Sequence, residues 1–117
     1  MSGLTTHILD TSLGKPAQGV SIQLFQWVGN QRLHLSIHIT NQDGRCNAPL
    51  LAKETFEQGL YELVFEMGAY FHQHHPNLPE PLFLDQIVIR FGISSTQDHC
   101  HIPLLISPFG YTTYRGS

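Results

Sequence analysis

Eight histidines stand in a chain of 117 residues that has only six lysines and arginines together. An imidazole titrates near pH 6.5, so at neutral pH it can accept a proton from water or ligate a metal. Two of the eight, His7 and His101, fall in strand-like runs, which hold a side chain more rigidly than loops do. Leu4, Thr6 and Ile8 alternate with Thr5, His7 and Leu9, so His7 points away from Leu4 and Ile8. Cys100, Ile102, Leu104 and Ile106 alternate with His99, His101, Pro103, Leu105 and Ser107. One face of that run is a core face and the other carries two imidazoles. Taken singly, His7 and His101 read most simply as solvated residues. Spacing cannot bring them together; only adjacency of their strands can. Arg45 follows the Asp43-Gly44 turn directly. Its ordinary reading is a solvated arginine. Its functional reading is a planar fork of donors for a ligand's carbonyl oxygens or an oxyanion.

The remaining candidates are weaker. His72 and His75 would share one face of a helix and form half a metal site. No carboxylate or further histidine stands at a ligand spacing, so His72, His74 and His75 read better as a polar helix end before Pro76. His34 and His38 share a strand face with Ser36, out of contact at strand rise, and read as the solvent or interface side. Cys46 and Cys100 fit no metal spacing and require no disulfide. Cys100 lies on a core face and reads as a small buried hydrophobe. There is no Gly-x-Ser-x-Gly elbow, phosphate loop or Cys-x-x-Cys, and no support for a cysteine nucleophile. If the chain is a hydrolase, water is the nucleophile and imidazole its activator, with no metal or organic cofactor required.

The elements that must position these residues are short β runs between turn signals. Leu4–Asp10, then Val20, Ile22 and Leu24, then Leu33, Leu35, Ile37 and Ile39 each alternate at strand period. The last of these is the cleanest half-buried strand. Gly29-Asn30 and Asn41-Gln-Asp-Gly44 read as turns, and Gly14–Gly19 as a loop. Lys53–Gly59 reads as a loop or one helical turn. Leu60–Glu66 is a strand with Tyr61, Leu63 and Phe65 on one side; Gln86–Gly92 groups Ile87, Ile89 and Phe91. Gly68–His75 breaks the pattern as a short helix, followed by a rigid proline-rich linker over 76–81. Thr96-Gln-Asp98 turns into the terminal pair, with Ser107-Pro-Phe-Gly110 between its strands and Tyr111–Tyr114 as the last. Seven or eight strands with one short helix predict an antiparallel β-sandwich, residues 1–117 forming one domain.

Composition sets limits. Charged residues are 13% and the net charge is -3 with histidine neutral, without the basic stripe nucleic acid needs. Neither a transmembrane stretch nor a secretory signal is visible, and the expected location is cytoplasmic, with reduced thiols. Sparse charge leaves much uncharged surface, which suits an oligomer.

The C-terminal run His99-Cys-His101-Ile-Pro-Leu-Leu105, ending in Tyr114-Arg115-Gly116-Ser117, resembles the 5-hydroxyisourate hydrolases, a transthyretin-related family. So do Leu4-x-x-His7-Ile-Leu-Asp10 with Gly14-Lys-Pro-Ala17, Thr40-x-x-Asp-Gly-Arg45, Gly59-x-Tyr61 and Gly68-Ala-Tyr-Phe71, in that order along the chain. The resemblance implies a transthyretin-like sandwich of two four-stranded sheets, with the first strand and the two last in one sheet. It implies hydrolysis of the cyclic amide of 5-hydroxyisourate to 2-oxo-4-hydroxy-4-carboxy-5-ureidoimidazoline in urate catabolism. It places the catalytic residues on His7, Arg45 and His101, and substrate contacts on His7, Arg45, Tyr114, Arg115 and Ser117. It also implies a homotetramer, a dimer of dimers with its sites between dimers. Cys100 stands where an aromatic is common in the family. The alternative is a carrier of a small planar ligand on the same fold, although the carriers lack the Tyr-Arg-Gly-Ser end and the first histidine.

Overall fold

Residues 3–95 and 99–116 are described by a computed structural model of the chain. Its strands are β1 (Leu4–Asp10), β2 (Lys15–Pro16), β3 (Ser21–Val28), β4 (Gln31–Ile39), β5 (Gly59–Glu66), β6 (Gln86–Ile93), β7 (Cys100–Ser107) and β8 (Gly110–Thr113). A 3-10 turn covers Lys53–Thr55, and one helix, α1, covers Met67–His74. The strands form two four-stranded sheets, ordered β2-β1-β7-β8 and β4-β3-β5-β6. The transthyretin-like all-β sandwich expected from the sequence is therefore present, with the first strand and the last two in one sheet. The turn expected at Thr96–Asp98 lies outside the described residues.

The core forms where the alternating faces meet. Leu4, Ile8, Leu104 and Ile106 of one sheet close on Ile22, Leu24, Tyr61, Leu63 and Phe65 of the other, all at 0–1% exposure. Burying each such side chain is typically worth about 1.5–3 kcal/mol, so β1 and β7 are pinned to the sandwich by their inward faces. Their outward faces, which carry His7 and His101, are then fixed by parity.

One pairing departs from the antiparallel expectation. β1 and β7 run parallel, with Leu4 opposite Cys100, Thr5 opposite His101 and His7 opposite Pro103. The other strand pairs are antiparallel.

β4 corrects the reading of its faces. Ile37 and Ile39 are 59% and 65% exposed. His38 pairs with the buried Ile22 and Ser36 with the buried Leu24, so these polar residues take the inward side of an edge strand. They also touch, with His38 Nε2 3.0 Å from Ser36 Oγ. Periodicity reveals which residues share a face; pairing decides which face turns inward. A register shift at Leu24/Phe25 then breaks the alternation.

Two buried carboxylates tie the frame together. On the outer face of the second sheet, Glu62 accepts from Arg32 at 2.7 Å, Trp27 Nε1 at 3.1 Å and Arg90 at 3.3 Å. Asp10, at the end of β1, has no exposed surface. It accepts from Tyr70 Oη (2.8 Å), Ser12 N (3.0 Å), Ser12 Oγ (2.7 Å) and Leu13 N (3.1 Å) and lies 2.8 Å from His75 Nε2. These bonds anchor α1 to the strand that bears His7.

Burial alone would raise the Asp10 pKa, but the bonds from His75, Ser12, Tyr70 and Leu13 outweigh it and lower it from 3.8 to about 2. A carboxylate depressed on folding stabilises the native state above its unfolded pKa, and that stabilisation fades as pH falls through the folded value. Asp10→Asn should cost roughly 2 kcal/mol at pH 7 in urea unfolding at fixed chain concentration. The gap to wild type should shrink between pH 4 and pH 2; a pH-independent gap would contradict the assignment.

Candidate active site

The parallel register brings the two outward imidazoles together. Thr5 sits opposite His101, and His7 is the next outward residue on β1. The His7 and His101 rings stack with centroids 5.0 Å apart at 16°. His7 Nδ1 lies 2.8 Å from His101 Nε2. On the other side of His101, Nδ1 lies 2.8 Å from Thr5 Oγ1, which is 3.0 Å from His99 Nε2.

Arg45 arrives on the β2 side of β1, along the stretch that the two-residue β2 leaves unpaired. Asn41 closes its turn: its Oδ1 accepts from Asp43 N at 2.9 Å and Arg45 N at 3.2 Å, and its own N–H donates to Arg45 O at 2.8 Å. The loop then bridges to β1, with His7 facing Arg45 and Ile8 N donating to Gly44 O at 2.9 Å. Gly44 is required by this approach. Its φ is +72°, and a Cβ there would lie 2.5 Å from the Ile8 carbonyl oxygen.

The C-terminal segment closes the third side. Gly116 N donates to His101 O at 2.7 Å, and a Cβ at Gly116 would sit 3.0 Å from His101 Cδ2. A side chain there would push against the imidazole, which gives the glycine of the terminal tetrapeptide a physical reason. His7, Arg45, His99, His101 and Tyr114 line one open cleft of about 570 Å³, a volume suited to a small molecule. Its floor is strand and its walls are loop and tail.

Two of the residues expected at the site stand elsewhere or beyond view. Arg115 lines a separate hollow with Ile89, Phe91, Cys100 and Ile102. Its guanidinium hydrogen-bonds the Cys100 thiol, whose pKa burial nonetheless raises. Ser117 lies outside the described residues. His72, His74 and His75 disperse to three partners: Glu80 at 2.8 Å, the Tyr70 ring at 4.4 Å and Asp10 at 2.8 Å. No trio of histidine, cysteine or acidic residues among the described residues is gathered closely enough to hold a metal ion. Both cysteines are free. Thr5 escaped the sequence reading; its parity with His7 and His99's parity with His101 were the available signals.

Electrostatics keep the imidazoles neutral. Burial, followed by the nearby Arg45 guanidinium, lowers the His7 pKa. His101 is pushed from 6.5 down to about 4, by burial first, then by His7, Arg45 and His99. A shift of that size makes the charged form about 3 kcal/mol harder to reach, so near pH 7 the pair consists of two bases.

The family model described as HIUase/Transthyretin matches residues 4–116. The chain belongs to this family. It is 51% identical to a 5-hydroxyisourate hydrolase of Pseudomonas aeruginosa over 117 residues, covering 100% of this chain and 93% of the relative. Among solved structures, the 5-hydroxyisourate hydrolase of Klebsiella pneumoniae superposes with TM-score 0.75 at 39% identity, covering 100% of both chains. Transthyretin from Sparus aurata superposes with TM-score 0.86 at 24% identity, covering 99% of this chain and 97% of that one, which bears on the fold alone.

Gly44→Ala should lose about 2 kcal/mol or more in thermal unfolding, from the strained φ together with the contact with Ile8. Gly14→Ala is the control: its φ is also positive, at +69°, but nothing lies within 4 Å of an added Cβ. The control should lose only about 1 kcal/mol. Equal losses would show that the close approach of the Arg45 loop to β1 is not required.

Proposed function

We propose that this chain hydrolyses 5-hydroxyisourate, opening its cyclic amide by addition of water in urate catabolism. The observation that carries the mechanism is the 2.8 Å contact between two imidazoles in a cleft that Arg45 also lines. Water held at His7 and His101 gives up a proton as its oxygen attacks the amide carbonyl carbon. Arg45 holds the substrate's carbonyl oxygens and stabilises the negative charge that develops on them. Tyr114 packs against or hydrogen-bonds the ring from the tail. Arg115 and Ser117 are carried over from the family pattern as residues that shape the substrate site. The product is 2-oxo-4-hydroxy-4-carboxy-5-ureidoimidazoline, and no metal or organic cofactor enters the reaction.

We further infer a cytoplasmic homotetramer, a dimer of dimers whose clefts lie between dimers. Supporting this, the outer edges of β6 and β8 have no strand partner among the described residues. Phe109, Tyr111 and Tyr114, on the β7–β8 turn, β8 and the tail, are 60%, 45% and 55% exposed in the single chain. A second subunit across the cleft would cover such aromatics and exclude water from the reacting groups. No helix among the described residues is long and apolar enough to cross a membrane. The carrier reading shares the fold and is separated by turnover alone.

The test is the decay of freshly generated 5-hydroxyisourate with purified protein. His7→Ala and His101→Ala should each lose on the order of 100-fold or more in kcat, and Arg45→Gln a similar factor. Ligand binding without consumption would favour the carrier. The pH profile is a separate check. Because the His101 pKa is pushed down to about 4, the base form persists below the ordinary imidazole range. The His7 pKa is lowered as well, so kcat/KM should stay flat through the ordinary imidazole range and fall only below it. Arg45→Gln should move the acid limb upward. A wild-type limb centred near 6.5 would contradict the assignment.

A further inference from the structure

The His7–His101 pair is the inner half of a longer chain. Four groups follow one another at hydrogen-bond distance: His7 Nδ1 to His101 Nε2 at 2.8 Å, His101 Nδ1 to Thr5 Oγ1 at 2.8 Å, and Thr5 Oγ1 to His99 Nε2 at 3.0 Å. Each contact holds one proton. The threonine hydroxyl donates one bond and accepts the other, so neutral groups can fill the chain in only two ways. In one, Thr5 donates to His101, His101 donates to His7, and His7 presents N–H to the cleft at Nε2. In the other every donor is reversed, and His7 presents a bare Nε2, the form that can take a proton from water. His99 Nδ1 is buried without a partner among the described residues. Both fillings satisfy the three contacts equally.

We propose that Thr5 and His99 extend the imidazole pair into a four-member proton relay that stores the abstracted proton on His99, at the far end of the chain from His7. The relay rests on the assignment of His7 and His101 as the groups that activate water. Starting from the second filling, water gives a proton to His7 Nε2 while its oxygen bonds to the carbonyl carbon and the carbonyl π pair moves onto oxygen. His7 Nδ1–H passes to His101 Nε2, His101 Nδ1–H to Thr5 Oγ1, and the Thr5 proton to His99 Nε2. His99 already carries a proton on Nδ1 and becomes imidazolium. One positive charge now balances the oxyanion beside Arg45. When the oxyanion collapses, the ring C–N bond breaks with its electron pair on nitrogen. The same four transfers then run backwards, and His7 Nε2–H protonates that nitrogen. The enzyme returns to its starting state.

The need for such a store follows from the charges in the cleft. Burial and the Arg45 guanidinium oppose a cation on His7 or His101. His99 and Thr5 lie on the side of His101 opposite its contact with His7. Thr5 and His99 are positioning and relay residues; neither needs to touch substrate.

Thr5→Val keeps the side-chain shape and removes the hydroxyl. His99→Gln keeps a group for Thr5 to bond but cannot accept a proton. Thr5→Ser restores the hydroxyl. Both disconnecting variants should lose about 10- to 100-fold in kcat with KM within about threefold of wild type, and Thr5→Ser should lie within about threefold in kcat. Rates in mixtures of light and heavy water should fall on a bowed curve for wild type and Thr5→Ser, showing several protons in flight. The bow should be shallower for Thr5→Val and His99→Gln, in which only the transfers within the imidazole pair remain. Wild-type kcat and a wild-type bow in both disconnecting variants would overturn the relay while leaving the imidazole pair standing if His101→Ala is inactive. Full activity in His7→Ala and His101→Ala would instead remove the pair itself. A Thr5→Ser variant as slow as Thr5→Val would reduce Thr5 to packing. Loss in Thr5→Val with none in His99→Gln would end the chain at Thr5 and overturn the storage role. If Thr5→Val fails to fold, His99→Gln and Thr5→Ser still decide the question.

Discussion

The parallel pairing of β1 with β7 is the constraint on which the site depends. Thr5 opposite His101 sets the 2.8 Å contact between His101 and His7. A slip of one residue would turn His101 into the core and bring Cys100 outward. A slip of two would keep the imidazole on its face but carry it about 7 Å along the strand, either opposite His7 and away from Thr5 or beyond reach of His7. The inward face enforces the register. Leu4, Ile8, Leu104 and Ile106 have no exposed surface, and buried Thr6 donates from Oγ1 to Ile102 O at 2.5 Å. Cys100 N to Gly3 O at 3.0 Å and Thr11 N to Ile106 O at 2.9 Å hold the two ends of the pair. The outward geometry is thus set by energy spent inward, and the histidines need supply none of it.

The chain treats its buried ionisable groups in two ways. Asp10 and Glu62 are surrounded by donors, and both keep their carboxylates charged, with pKa values held below the usual range. Multiple charge-assisted bonds are the general remedy for a buried carboxylate. His7 and His101 are partly buried with a guanidinium rather than an anion nearby, and burial first, with that cation adding to it, lowers both pKa values so that they remain neutral. The first arrangement secures the frame; the second leaves unused basicity in a cleft. Asp10 joins the two, since it fixes the end of the strand that carries His7 and ties it to α1 through Tyr70 and His75.

Much of the frame was readable in the residues. Tyr61, Leu63 and Phe65, or Cys100, Ile102, Leu104 and Ile106, alternate cleanly because each strand buries one side, and parity gives His7 and His101 their outward aim. Parity carries no information about neighbours. That β1 shares a sheet with β7 entered through family resemblance alone, and that the two run parallel was not expected at all, because strand direction follows from chain topology. β4 shows the complementary limit: Ile37 and Ile39 share a face as read, but the edge position turns that face outward. Thr5 was invisible because a threonine on a strand needs no explanation until an imidazole is found opposite it. The cluster at His72, His74 and His75 looked chemical by spacing, yet each ring has its own structural partner.

The most direct measurement of the central claim is long-range nitrogen–proton NMR of the histidine rings of the unliganded protein as pH is lowered. His7 and His101 should show linked tautomers, one ring donating from nitrogen to the other's bare nitrogen, and His101 should remain neutral well below pH 6, in keeping with a pKa pushed down to about 4. Two independent rings, each protonating near pH 6.5 with no shared hydrogen bond, would contradict it.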